Sequence, residues 1–126
     1  MRLFLFFSHS LTNEQIEDAK YNLNIEEFVH LPKELQTLFS NVSPELKSLN
    51  EYVKPFKEFL KKKAKKDDLI LIQGDFGLVC HLVDFSIKQK YIPVYATTKR
   101  EVIVEKNGTK VSKFKHIIFR RYECGI

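Results

Sequence analysis

Three polar segments of this sequence hold the residue types that bind and break phosphate esters. The first, Ser8-His9-Ser10-Leu11-Thr12, offers hydroxyls, an imidazole and the free N–H groups of a helix starting there, a set suited to an anion or to a ribose 2′-hydroxyl. His9 is the distinctive member, because a histidine at a strand's carboxyl end can act as acid, base or cationic phosphate ligand near neutral pH. The second, Gln73-Gly74-Asp75-Phe76-Gly77, has two glycines that let backbone approach a ligand, and N–H groups at another helix start. It lacks the Lys-Ser/Thr of a Walker A loop and the G-x-G-x-x-G of dinucleotide folds, which turns the reading away from conventional NTP hydrolysis and NAD chemistry. The third, Thr97-Thr98-Lys99-Arg100, adds two hydroxyls and two positive charges that match the charge developing on a phosphodiester in its transition state.

Each segment also has a plainer reading. Ser10, Thr12 and Asp75 are suitable helix caps, and Thr97 to Arg100 suits the solvated start of an edge strand. Lys61-Lys62-Lys63 and Lys65-Lys66 fall at a helix C-terminus, where positive charge complements the macrodipole. His30, His81 and His116 receive no role. No Asp, Glu and His grouping has metal-ligand spacing, so a metal-independent reaction without a cofactor is the expectation.

The elements that must carry these segments follow from periodicity. Leu3 to Phe7 is an unbroken apolar run, the pattern of a strand buried on both faces of a parallel sheet. Thr12 with Gln15 forms a capping-box signature for a helix over Asn13 to Asn22. Glu27 to Leu31 reads as a second strand closed by Pro32, followed by one short helix through Leu35, Leu38 and Phe39. Ser43-Pro44-Glu45 then predicts a longer helix, bent at Pro55 and ending near Lys66. Asp68 to Ile72 is a third strand, Phe76 onward a helix, and Ile92 to Tyr95 a fourth strand, with 96–100 as the loop after it. Glu101 to Glu105 and Val111 to Arg120 flank Asn107-Gly108, a hairpin signal. In an open α/β sheet ligands bind beyond the carboxyl ends of strands, and the three polar segments follow strands one, three and four.

Composition sets the outer limits. With 126 residues and 44% hydrophobic content the chain fits one domain, 1–126, with a core of its own. Net charge is +5, an attraction for polyanions that falls short of a stable duplex-DNA binder. Two cysteines without C-x-x-C spacing suit a reducing compartment. The apolar start is too short for a signal peptide, and no run approaches the roughly 20 residues of a membrane span. A cytoplasmic protein without membrane partners is expected.

Taken together, Phe4-Leu5-Phe6-Phe7-Ser8-His9 with Leu11-Thr12, Leu71-Ile72-Gln73-Gly74-Asp75-Phe76-Gly77 and Tyr95-Ala96-Thr97-Thr98-Lys99-Arg100 resemble the small CRISPR-associated Csx-twenty family. That family is grouped with the CARF-like ring nucleases of type III CRISPR antiviral defence. Strand-helix alternation followed by a C-terminal antiparallel hairpin argues for an open, mostly parallel sheet with helices on both faces, and the resemblance, which spans essentially the whole chain, implies that this sheet is Rossmann-like (CARF-like). It implies a homodimer that cleaves cyclic oligoadenylate, cyclic tetra-adenylate first, by attack of a ribose 2′-hydroxyl on its adjacent phosphate, leaving a 2′,3′-cyclic phosphate. On that expectation Lys99 and Arg100 hold the scissile phosphate, Ser8 and the helix N-termini add donors, and His9 moves the proton. Ser10, Thr12, Gln73, Gly74, Asp75, Phe76, Gly77, Thr97 and Thr98 would line the ligand. A non-catalytic sponge or sensor of the same messenger fits the same residues, and a single-stranded RNA-binding module fits the basic face and its aromatics.

Overall fold

The apolar run at the start of the chain becomes β1 (Arg2–Phe6), which lies between two parallel neighbours and has no solvent-facing side. On one side it pairs with β2 (Glu27–His30) and on the other with β3 (Leu69–Ile72), which pairs in turn with β4 (Ile92–Val104). β5 (Lys110–Arg121) closes the sheet antiparallel to β4, giving the order β2-β1-β3-β4-β5. The computed structural model describes residues 1–124.

Alternate residues of the central strands feed two cores. Leu3, Leu5, Leu69, Leu71 and Val94 face α1 (Asn13–Asn22) through Ala19. Phe4, Phe6, Ile70 and Ile72 face the opposite way, into a larger core closed by α2 (Lys33–Ser40), α3 (Lys54–Lys63) and α4 (Phe76–Lys88). Helices therefore cover both faces of a mixed, mostly parallel α/β sheet. Aromatic packing dominates the larger core, where the rings of Phe6 and Phe39 meet edge-on at 5.9 Å and those of Phe39 and Phe56 at 6.0 Å. No helix among the described residues is long and apolar enough to cross a membrane.

Two elements differ from the sequence expectation. The long bent helix from Ser43 is absent: turns occupy the chain up to Val53, and helix begins only at Lys54, with Pro55 in its first turn. Pro55 has no N–H to continue a helix arriving from upstream, so it starts one instead of kinking one. Ser43 and Ser48 also turn the chain locally, their hydroxyls accepting the N–H of Glu45 and Asn50.

The expected loop at 96–100 is also absent, because β4 runs straight through it. Parallel pairing with β3 ends at Val94, yet β4 continues to Val104 against β5 alone. At about 3.3 Å per residue, the ten residues past Val94 make a two-stranded arm roughly 30 Å long. The Asn107-Gly108 hairpin caps the arm, with Gly108 at φ +83° and its N–H donating to Glu105. The base of the arm is pinned to α1 by His116, whose buried ring meets the Asp18 carboxylate at 2.7 Å.

Tyr122, just past β5, donates its hydroxyl to the carbonyl of Ile72 at the end of β3. Burial, followed by Tyr95 and Cys124, pushes its phenol up from 10 to about 12. Between those values the unfolded chain loses the proton while the folded chain keeps it, so this part of the stability is intact below pH 10 and is lost as pH rises toward about 12. Chemical denaturation at stepped alkaline pH should show that decline, and Tyr122→Phe should make it shallower; an unchanged slope in the variant would exclude Tyr122 as a contributor.

Candidate functional site

The three polar segments arise at the carboxyl edge of the sheet, where β1 and β3 stop and β4 continues. Gln73 joins them: its N–H donates to the carbonyl of Phe6 on β1 (3.0 Å), and its side-chain Oε1 accepts the N–H of Ala96 on β4 (2.8 Å). The amide side chain thus takes the place of the β3 backbone that has turned away.

After β1, the chain is held by α2. Gln36 donates from Nε2 to the carbonyl of Phe7 and to the hydroxyl of Ser40, both at 3.1 Å, and Ser40 donates to Ser8 (2.9 Å). His9 and Ser10 are exposed, and the His9 ring stands edge-on to Phe7 at 5.5 Å. A cleft of about 480 Å³ opens here, lined by Ser8, His9 and Ser10 together with His30 of β2 and Gln36. His30 and Gln36 carried no sequence signal, since a lone histidine and a helical glutamine are ordinary surface residues.

The helix starts are less free than expected. The Thr12 hydroxyl accepts from Gln15 N–H while Gln15 Oε1 accepts from Thr12 N–H, completing the capping box. Asp75 Oδ2 accepts from Leu78 N–H at 3.0 Å. Thr12 and Asp75 are therefore caps, and the Asp75 carboxylate places negative charge where an anion was to sit. Its charge is felt nearby: burial first, and then Asp75, raise the Tyr52 phenol above its ordinary value. The glycines serve packing. A Cβ on Gly74 would lie 2.9 Å from Phe39 Cε2, and one on Gly77 3.2 Å from Leu49 Cδ1. Phe76, by contrast, is 94% exposed at the start of α4.

The third segment sits on the arm, and strand geometry separates its two cations. Arg100 pairs across the ladder with Phe114, and it bonds Ser112 Oγ through Nε (3.2 Å) and Nη2 (2.9 Å). Lys99, its neighbour, points to the other face. The ladder therefore does not bring Lys99 and Arg100 together on one face. Lys99 instead faces Lys115 directly across the ladder, a like-charge pair that disfavours the hairpin by itself. Neither makes an ion pair with any described residue. Thr97 is occupied at a β-bulge, its hydroxyl donating to the carbonyl of Ile118 and accepting that residue's N–H, both at 3.1 Å. Thr98, exposed, opposes His116. Among the described residues no group of three or more His, Cys, Asp or Glu side chains is placed to hold a metal ion.

The family model described as "Uncharacterized protein MJ1673 family" matches residues 1–120. The protein from Methanocaldococcus jannaschii that bears the same name is 48% identical over 124 residues, covering 96% of each chain. No solved structure matches the chain.

If Gln73 is the staple of this edge, its acceptor atom is what matters. Gln73→Leu should leave the Ala96 N–H unpaired, cost about 1–3 kcal/mol, and speed hydrogen exchange at Ala96. Gln73→Glu, which keeps an acceptor, should protect that amide, and equal exchange in both variants would remove the staple from the account.

Proposed function

We propose that this chain, which belongs to the MJ1673 family, binds and cleaves cyclic oligoadenylate, with cyclic tetra-adenylate the first candidate. The single observation that carries the reading is the unneutralised Lys99/Lys115 pair standing on an arm beyond the sheet edge where His9 is exposed. A cross-strand lysine pair without an anion is relieved by a phosphate, and a nucleotide ring presents several. The arm as a whole is basic, with six Lys and Arg against two Glu between Lys99 and Lys115. The resemblance to CARF-like ring nucleases rests on the same segments, and the strand order is compatible with a Rossmann-like reading of the fold.

In the proposed reaction the ribose 2′-hydroxyl attacks the adjacent phosphorus as the bond to the 5′-oxygen of the next nucleotide breaks. The products are a 2′,3′-cyclic phosphate and a 5′-hydroxyl; the proton lost by the 2′-oxygen is balanced by one gained at the 5′-oxygen. No water is consumed in this step. In this reading Lys99 and Lys115 neutralise phosphates of the ring on their face of the arm, His9 takes or returns the proton at the reacting nucleotide, and the exposed ring of Phe76 offers a stacking surface for a base. Val102, Val104 and Phe114, on one face of the arm at 56%, 64% and 72% exposure, supply apolar area for the second copy of a homodimer acting in the cytoplasm.

One observation favours binding without cleavage. The His9 ring has no hydrogen-bond partner among the described residues to orient it, and a proton-transferring imidazole normally has one. Incubating the protein with cyclic tetra-adenylate in EDTA and resolving products by liquid chromatography with mass detection decides between them. Linear fragments ending in 2′,3′-cyclic phosphate are expected, with cleavage slowed about 100-fold or more and binding little changed in His9→Ala. An intact ring bound to the protein would replace the nuclease by a sponge, and displacement of the ring by linear RNA of equal charge would point to a general RNA binder.

A further inference from the structure

The cleft at the carboxyl ends of β1 and β2 has a polarity that selects its occupant. Its walls include Leu5, Phe7, Leu11 and Phe28, and its volume of about 480 Å³ is within the range of small-ligand pockets. Such walls suit a flat, largely apolar heterocycle. The polar part of the lining is Ser8, His9, Ser10, His30 and Gln36, and of these Gln36 is the one held in a fixed orientation. Both of its amide hydrogens are engaged, by the Phe7 carbonyl and the Ser40 hydroxyl. A flipped amide would turn oxygen toward the Phe7 carbonyl, two acceptors face to face, so the orientation is fixed by the network. What remains unengaged on this cleft-lining side chain is Oε1, which accepts from no described residue. Ser10, exposed on the rim, adds a hydroxyl that can donate or accept.

From this we infer that the cleft is a nucleobase subsite that selects an aminopurine, with the exocyclic amine donating to Gln36 Oε1. A 6-oxo purine presents a carbonyl at the same place and sets two acceptors against each other, a mismatch that polar sites reject strongly. Ser8 and His9 line the same cleft, within reach of the ribose of a base held there. The inference deepens the ring reading and rests on it only for the larger molecule to which the base belongs. A free nucleoside offers the same base, and the two sources are separable by experiment.

The test is titration of the full chain with adenosine and with inosine, which are uncharged and differ only along one edge of the base, an exocyclic amine beside an N1 acceptor against a carbonyl beside an N1–H donor, followed by backbone amide shifts in NMR. Adenosine is expected to bind about tenfold or more tightly than inosine, shifting amides of Phe7 to Leu11, Phe28 to His30 and Gln36. Gln36→Lys, which still donates to the Phe7 carbonyl but offers no acceptor, is expected to bring the ratio to near one. Equal binding in the unaltered chain, no adenosine binding, or shifts elsewhere would overturn the subsite, whatever the ring does. Adenosine selectivity without binding of cyclic tetra-adenylate would keep the subsite and overturn the ring reading.

Discussion

The functional side of this protein depends on how the sheet ends. β1 and β3 stop at Phe6 and Ile72, and β4 has to leave them without exposing an unpaired edge to the core. Gln73 resolves this with one residue: its backbone stays with β1 while its side chain takes the next N–H of β4. Tyr122 performs a related task from the other strand, closing the last carbonyl of β3. With these bonds in place β4 and β5 grow past the sheet as a separate ribbon. The bulge at Thr97 twists that ribbon, and the His116–Asp18 pair ties it to α1.

Much of this was legible in the residues, and the parts that were not share a cause. β1, β3 and α1 are dictated locally, by runs buried on both faces and by a Thr12/Gln15 capping box that forms as its pattern requires. The arm is decided at long range. Thr97 to Arg100 is polar and resembles a loop, but it contains no Gly, Pro, Asn or Asp to break a strand, and β5 pairs with it throughout. Nor does the Asn107-Gly108 signal by itself give the register. A two-residue turn at that dipeptide would oppose Arg100 to Lys115. The hairpin instead closes Glu105 on Thr109 around three residues, opposing Lys99 to Lys115. A one-residue slip exchanges the faces of every side chain, so the register decides that Lys115 lies opposite Lys99 and not opposite Arg100. Pro55 shows the same limit on the helical side, marking a break correctly while leaving open whether helix lies before it.

The site is consequently arranged differently from a phosphate-binding loop. Thr12 and Asp75 cap the helices from which anion binding was expected, and the glycines beside Asp75 make room for Phe39 and Leu49. Positive charge is concentrated on the ribbon, where Lys99 and Lys115 oppose each other across the ladder. The cleft near His9 supplies shape and a hydrogen-bond acceptor on the other flank of the same edge.

In the proposed function one face of the arm, and not the Lys99-Arg100 dipeptide, holds the ligand's phosphate. Affinity for cyclic tetra-adenylate, measured at fixed ionic strength, should be compared between a Lys99→Ala/Lys115→Ala double variant and Arg100→Ala. A loss of about tenfold or more is expected in the first and little change in the second; a loss confined to Arg100→Ala, or none in the double variant, would overturn the assignment of the phosphate to the Lys99/Lys115 face.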